Sequence, residues 1–134
     1  MSLHRIFSLS LAVIFLIVGC IFLLIPSKVL IFFNKLSGYL ELPHSPVTEF
    51  TFYLVLAVAY MYIVALVSFL MYRHPENRYF PLLLANGKIA SSLLSLYLLI
   101  VHQPFLILIV NCLVDGLIGI VAFVFYKKLK RTNT

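Results

Sequence analysis

Long apolar runs broken by short polar punctuation dominate this chain. A helix needs about 20 apolar residues to cross the ~30 Å hydrocarbon core of a bilayer. Four stretches meet that length: Ile6–Ile25, Phe50–Tyr72, Tyr79–Val101 and Pro104–Tyr126. The first stops at Pro26, the third carries Pro81 in its opening turn, and the fourth runs into Lys127-Lys128. Proline is tolerated at the first turn of a helix, where its missing N–H costs nothing. None of the runs alternates apolar and polar residues with period two, so strands of a barrel are not expected. The pattern predicts an all-α fold, an integral membrane four-helix bundle forming a single domain over residues 1–134.

The connections differ in kind. His102 and Gln103 alone separate the third and fourth spans, which predicts a tight antiparallel hairpin. A short loop with His74, Pro75 and Asn77 joins the second and third. The stretch Pro26–Glu49 is long. On a helical wheel, Ser27, Lys28, Asn34, Lys35, Gly38 and Glu41 share one face, while Val29, Leu30, Phe32, Phe33 and Leu36 cover the rest. That division predicts a short amphipathic helix lying in the membrane interface between spans one and two. Ser45-Pro46 reads as a cap and first-turn pair opening the second span.

Composition sharpens the class. Hydrophobic residues make up 63% of the chain and charged residues 10%, and the mean hydropathy is +1.12. An ordinary soluble domain has about 45–50% apolar and about 25% charged residues. A soluble globule, a disordered tail and a nucleic-acid module are therefore excluded. The net charge of +6 is read as orientation, because basic residues collect on the cytoplasmic side of spans. Arg5, Arg73, Arg78, Lys127, Lys128, Lys130 and Arg131 lie on one side; Lys28 and Lys35, offset by Glu41 and Glu49, lie on the other. Both termini are thus expected in the cytoplasm. Tyr72, Tyr79 and Tyr126 would form the inner aromatic belt, and Tyr39, Tyr53 and Tyr97 the outer one. Ile17-Val18-Gly19-Cys20 has the look of a lipidation signal, but the apolar run continues to Ile25, so a retained first span is expected. Cys20 and Cys112 form no CxxC and are expected to pack as small hydrophobes.

Two charges interrupt the spans. Lys88 lies nine residues beyond Tyr79, about 13–14 Å from the cytoplasmic end at 1.5 Å per residue. Asp115 lies eleven residues before Tyr126, about 16–17 Å from that end. The hairpin forces their helices together, and a lone charge at that depth costs at least about 2.5–3.5 kcal/mol. Lys88 and Asp115 are therefore expected to pair. Lys88, Ser91, Ser92 and Ser95 follow helical spacing along one face, as do Asn111, Asp115, Gly119 and Ala122 on the fourth span. Small residues there admit close helix approach and polar ones bond between helices. Ala57, Met61, Val64 and Ser68 give the second span a comparable face, with Tyr60 or Tyr62 at the same level. Lys88, Asp115, Asn111, Ser91, Ser92 and Ser95 thus form a candidate intramembrane polar cluster, either a structural clamp or the lining of a proton, ion or polar-ligand site.

Other chemistry is thinly represented. His4, His44, His74 and His102 map to span ends or loops, so neither a metal site nor haem ligation is expected. No nucleophile elbow, P-loop or pair of carboxylates occurs, and no catalytic residue is assigned. No cofactor is called for, although a lipid, or a quinone stacked on Phe32 or Phe33, would be a compatible contact.

The layout resembles the DoxX-like group of small four-helix bacterial membrane proteins. The resemblance rests on a first span ending Val18-Gly19-Cys20 before Pro26, on the amphipathic stretch that follows, and on the Asn111–Asp115-Gly116 region. It implies a bacterial inner membrane protein linked to quinone-associated redox or oxidative-stress assemblies, and it transfers no catalytic residue. Small multidrug transporters also have four short spans but carry an acid in the first, which this chain lacks. The leading expectation is an accessory or scaffold subunit of a larger membrane complex, with lipid and other membrane subunits, or a second copy, as partners. The alternatives are a homo-oligomeric transporter or channel using the Lys88–Asp115 pair, and a partner in quinone-linked redox chemistry.

Overall fold

A computed structural model describes residues 2–47 and 52–132. Five helices follow one another: α1 (Leu3–Leu24), α2 (Pro26–Tyr39), α3 (Phe52–Arg73), α4 (Tyr79–Val101) and α5 (Leu106–Thr132). The described residues contain no strand. Four of these helices, all but α2, are long and apolar enough to cross a membrane, which marks the chain as a membrane protein. Phe50, the expected start of the second span, lies outside the described residues, as does Glu49.

Helix boundaries follow local chemistry. α1 starts three residues earlier than its apolar run, because His4 and Arg5 continue the helix. Ile25 alone separates α1 from α2, and its N–H still bonds the Ile21 carbonyl at 2.9 Å. Pro26 then takes the first position of α2, the place where its fixed φ suits a helix start. α2 ends in a Schellman-type turn: Glu41 adopts a left-handed φ of 54°, and the Leu42 N–H reaches back to the Ser37 carbonyl at 3.0 Å. Glu41 therefore lies beyond the helix whose polar face it was expected to extend.

α4 occupies the expected range, Tyr79–Val101. α5 differs at both ends. It begins at Leu106 instead of Pro104, so the hairpin connection is His102–Phe105. It also runs on through Lys127 and Lys128 to Thr132. Basic residues end an apolar run without ending a helix, since Lys and Arg are good helix formers and favour a helix C-terminus.

Ser45-Pro46 does not open the second span, which starts at Phe52. Asn34 holds Ser45 instead. The Ser45 N–H and hydroxyl donate to Asn34 Oδ1 at 2.8 and 3.0 Å, and Asn34 Nδ2 donates to the Ser45 carbonyl at 2.8 Å. The loop is thus pinned to α2. Replacing Asn34 with Ala should speed hydrogen exchange of the Ser45 amide about tenfold, the loss of roughly 1–1.5 kcal/mol of net hydrogen bonding. An unchanged rate would mean that the loop is held elsewhere.

α4 packs along α5 and α1 along α3, with smaller contacts of α3 with α4 and of α2 with α1 and α5. One core joins all four long helices. It contains Leu11, Val64, Met71, Leu84, Ala85 and Ala122, flanked by Phe7, Phe15, Tyr60 and Ile118. Cys20 faces outward and Cys112 is half-buried, both as free thiols, so Cys20 departs from the buried role expected of it.

Candidate functional site

Antiparallel packing of α4 on α5 brings the two polar faces into register. Lys88 Nζ donates to Asp115 Oδ1 at 2.7 Å. Lys88 is 1% and Asp115 2% exposed. The pair expected from equal depth on neighbouring helices is therefore present and sealed. Around it, Ser92 donates its hydroxyl to the Cys112 carbonyl at 2.7 Å. Asn111 Nδ2 donates to Ser91 and Ser95 hydroxyl oxygens at 3.2 and 2.8 Å. All six residues of the predicted cluster thus meet across one helix interface.

Two aromatic rings complete the environment of Lys88. Its ammonium sits 3.7 Å from the Phe15 ring centroid and 5.1 Å from that of Tyr60. Ring faces are electron-rich and attract a desolvated cation, so they stand in for part of the water that burial removes. Tyr60 is also fixed in place, because its hydroxyl donates to the Gly87 carbonyl at 3.1 Å. Of the two tyrosines proposed for this level, Tyr60 reaches it and Tyr62 is exposed. Phe15 carries no sequence signal, being one more apolar residue in an apolar helix. Only the face it shares with Leu11 and Gly19 could have pointed inward.

The carboxylate is less completely served than the ammonium. Asp115 Oδ2 is buried and has no hydrogen-bond partner among the described residues. A buried acceptor left unpaired is costly, more so when charged. Asp115 also forms part of the wall of a partly open cavity of about 730 Å³ between α1, α2 and α5. Phe15 and Val18 line it from α1, Phe32 and Phe33 from α2, Met61 from α3, and Val110 and Val114 from α5. Its polar members are Lys28, Asn111 and Asp115. At one end α1 and α5 meet through rings: His4 and Phe7 lie 4.9 and 5.4 Å from Phe125. At the other end α2 contacts both helices.

Among the described residues, the remaining histidines and acids assemble no comparable site. His74 Nδ1 lies 3.7 Å from Glu76 Oε1 at the exposed α3–α4 turn. Among the described residues no three His, Cys, Asp or Glu side chains cluster as metal ligands would. What the arrangement offers chemically is an apolar chamber with Lys28, Asn111 and Asp115 in its wall. No family model, curated protein or solved structure matches the chain.

Proposed function

We propose that this protein is a membrane accessory component that holds a lipid-soluble amphiphile between α1, α2 and α5. The observation that carries the reading is a largely apolar cavity whose wall includes three polar residues, Lys28, Asn111 and the buried Asp115. Chambers of 300–1,000 Å³ with an apolar lining and a few placed polar groups are the usual form of small-molecule sites. In this proposal the four spans form a bundle with both termini cytoplasmic, and α2 lies in the opposite interface. The setting is the bacterial inner membrane implied by the DoxX-like resemblance. The Lys88–Asp115 pair is then a clamp between α4 and α5 beside the chamber. A largely apolar lining supports a lipid or quinone-like occupant over a hydrated ion, which needs successive polar ligands along a path. A role as subunit of a larger assembly is compatible, with the bound amphiphile as what this subunit contributes.

The test is to purify the protein in mild detergent and analyse the bound lipids by native mass spectrometry. About one amphiphile per chain should survive purification. Val18→Trp, which fills the chamber from α1, should remove it while leaving helix content unchanged. Protein without a retained amphiphile, or retention indifferent to Val18→Trp, contradicts the reading.

A further inference from the structure

We infer that the amphiphile held in this cavity is a membrane lipid with an anionic headgroup, seated with its head on Lys28 and an acyl chain running between α1 and α5. The inference rests on the cavity reading above and names its ligand class. On α1 the lining runs from Phe22 to Leu11, and on α5 from Ile107 to Ile118. Either stretch covers about 16 Å of helix at 1.5 Å per residue. One leaflet of hydrocarbon is about 15 Å deep, half of the ~30 Å core. The chamber therefore has the length of one lipid chain. From α2 it is lined by Lys28, Val29, Phe32 and Phe33, and α2 follows directly on the end of α1. Lys28 thus stands at one end of the chamber, where a headgroup belongs, and not along its apolar length.

Charge selects the headgroup. Asp115 is held by Lys88 at 2.7 Å, and that pair is neutral as a unit. Asn111 is uncharged and gives its amide hydrogens to Ser91 and Ser95. Lys28, by contrast, is exposed and makes no ion pair with any described residue. The first turn of α2, in which it stands, contains no acid, and the backbone at that end of a helix itself favours an anion. The lining therefore carries one uncompensated positive charge, at its α2 end. A lipid phosphate meets that charge while its chain stays in the apolar part. A neutral quinone or alcohol leaves the ammonium unmatched, and a cationic amphiphile is repelled by it. A zwitterionic headgroup brings its own cation beside the phosphate and gains less.

The experiment uses the full chain in nanodiscs of dioleoylphosphatidylcholine. Each sample carries the same small fraction of one probe, either phosphatidylglycerol or phosphatidylcholine with a diazirine in one acyl chain. After photolysis, labelled residues are mapped by mass spectrometry. The phosphatidylglycerol probe should label the cavity faces of α1 and α5 about fivefold more than the phosphatidylcholine probe, the scale of one lysine acting on an anionic lipid. In Lys28→Gln the two probes should agree within about twofold, because that attraction is gone. Lys35→Gln alters another exposed lysine of α2, one that does not line the cavity, and should keep the preference. Equal labelling by the two probes in the unaltered protein overturns the anionic assignment and leaves the cavity reading intact. A preference that survives Lys28→Gln, or that falls as far in Lys35→Gln, overturns the seat on Lys28. Absence of label from those faces with both probes overturns the cavity reading itself, and this inference with it.

Discussion

Lys88→Met alone should destabilise the folded protein by about 3–5 kcal/mol, the range for removing one partner of a buried ion pair. The side chains have similar length, so the packing lost is small. What changes is charge. Asp115, 2% exposed, loses the donor that holds Oδ1, while Oδ2 already lacks one. Two unsatisfied carboxylate oxygens then sit in the α4–α5 interface. The aromatic faces of Phe15 and Tyr60, arranged for a cation, turn toward a methyl group instead. Replacing both partners, Lys88→Met with Asp115→Leu, should recover most of the loss, because a well-packed apolar pair removes two desolvation penalties at once. Denaturant unfolding in detergent micelles, followed by helical circular dichroism, reads both values. A double variant as unstable as the single would mean that the pair is not the source of the effect.

Gly119→Leu should have the next largest effect, about 2–3 kcal/mol, at the upper end of what overpacking costs. A Cβ at Gly119 would lie 2.8 Å from Ile89 Cγ1 and 3.2 Å from the Ile89 backbone nitrogen. The side-chain atom can swing aside, but the backbone nitrogen moves only with α4. The whole leucine side chain therefore pries α4 from α5. Asp115 lies one turn before Gly119, so separation there also stretches the Lys88–Asp115 contact. Gly119→Ala should cost less, since the gain in helix propensity, about 1 kcal/mol, opposes the clash. Gly38→Ala is the contrast: its nearest neighbour would be His44 Nε2 at 3.7 Å, an ordinary contact. It should be neutral or slightly stabilising. The same unfolding assay ranks the three, and a Gly119→Leu protein as stable as the unaltered chain would contradict the close approach.

These two variants probe the part of the molecule that sequence reasoning reaches best. Four spans follow from apolar run length, and the Lys88–Asp115 contact follows from equal depth on adjacent antiparallel helices. The serines and Asn111 fall into place because helical spacing puts them on the facing sides. Depth and spacing are one-dimensional quantities, and a helix turns them into positions directly. The unreadable features depend on how helices diverge. Phe15 caps Lys88 because its ring reaches the ammonium from α1, and nothing in a run of leucines, isoleucines and phenylalanines singles it out. The cavity arises because α1 and α5 meet at Phe125 while α2 is inserted at the other end. Its apolar lining looks the same in sequence as a lipid-facing surface. The Asn34–Ser45 contact depends on a turn at Glu41 with a left-handed φ, a conformation no glycine announces. The helical Lys127–Arg131 segment is not legible in hydropathy, because the end of an apolar run does not mark the end of a helix.

Asp115, buried at mid-span, is held by Lys88 on the neighbouring helix and forms part of the wall of the chamber beside it. Solid-state NMR in lipid bilayers measures the first half of that arrangement directly, through the dipolar coupling between Lys88 ¹⁵Nζ and Asp115 ¹³Cγ. The account predicts strong coupling, corresponding to a charge-assisted hydrogen bond of roughly 2.7–2.9 Å from nitrogen to oxygen. Absence of the coupling in a folded, bilayer-embedded sample would contradict the account.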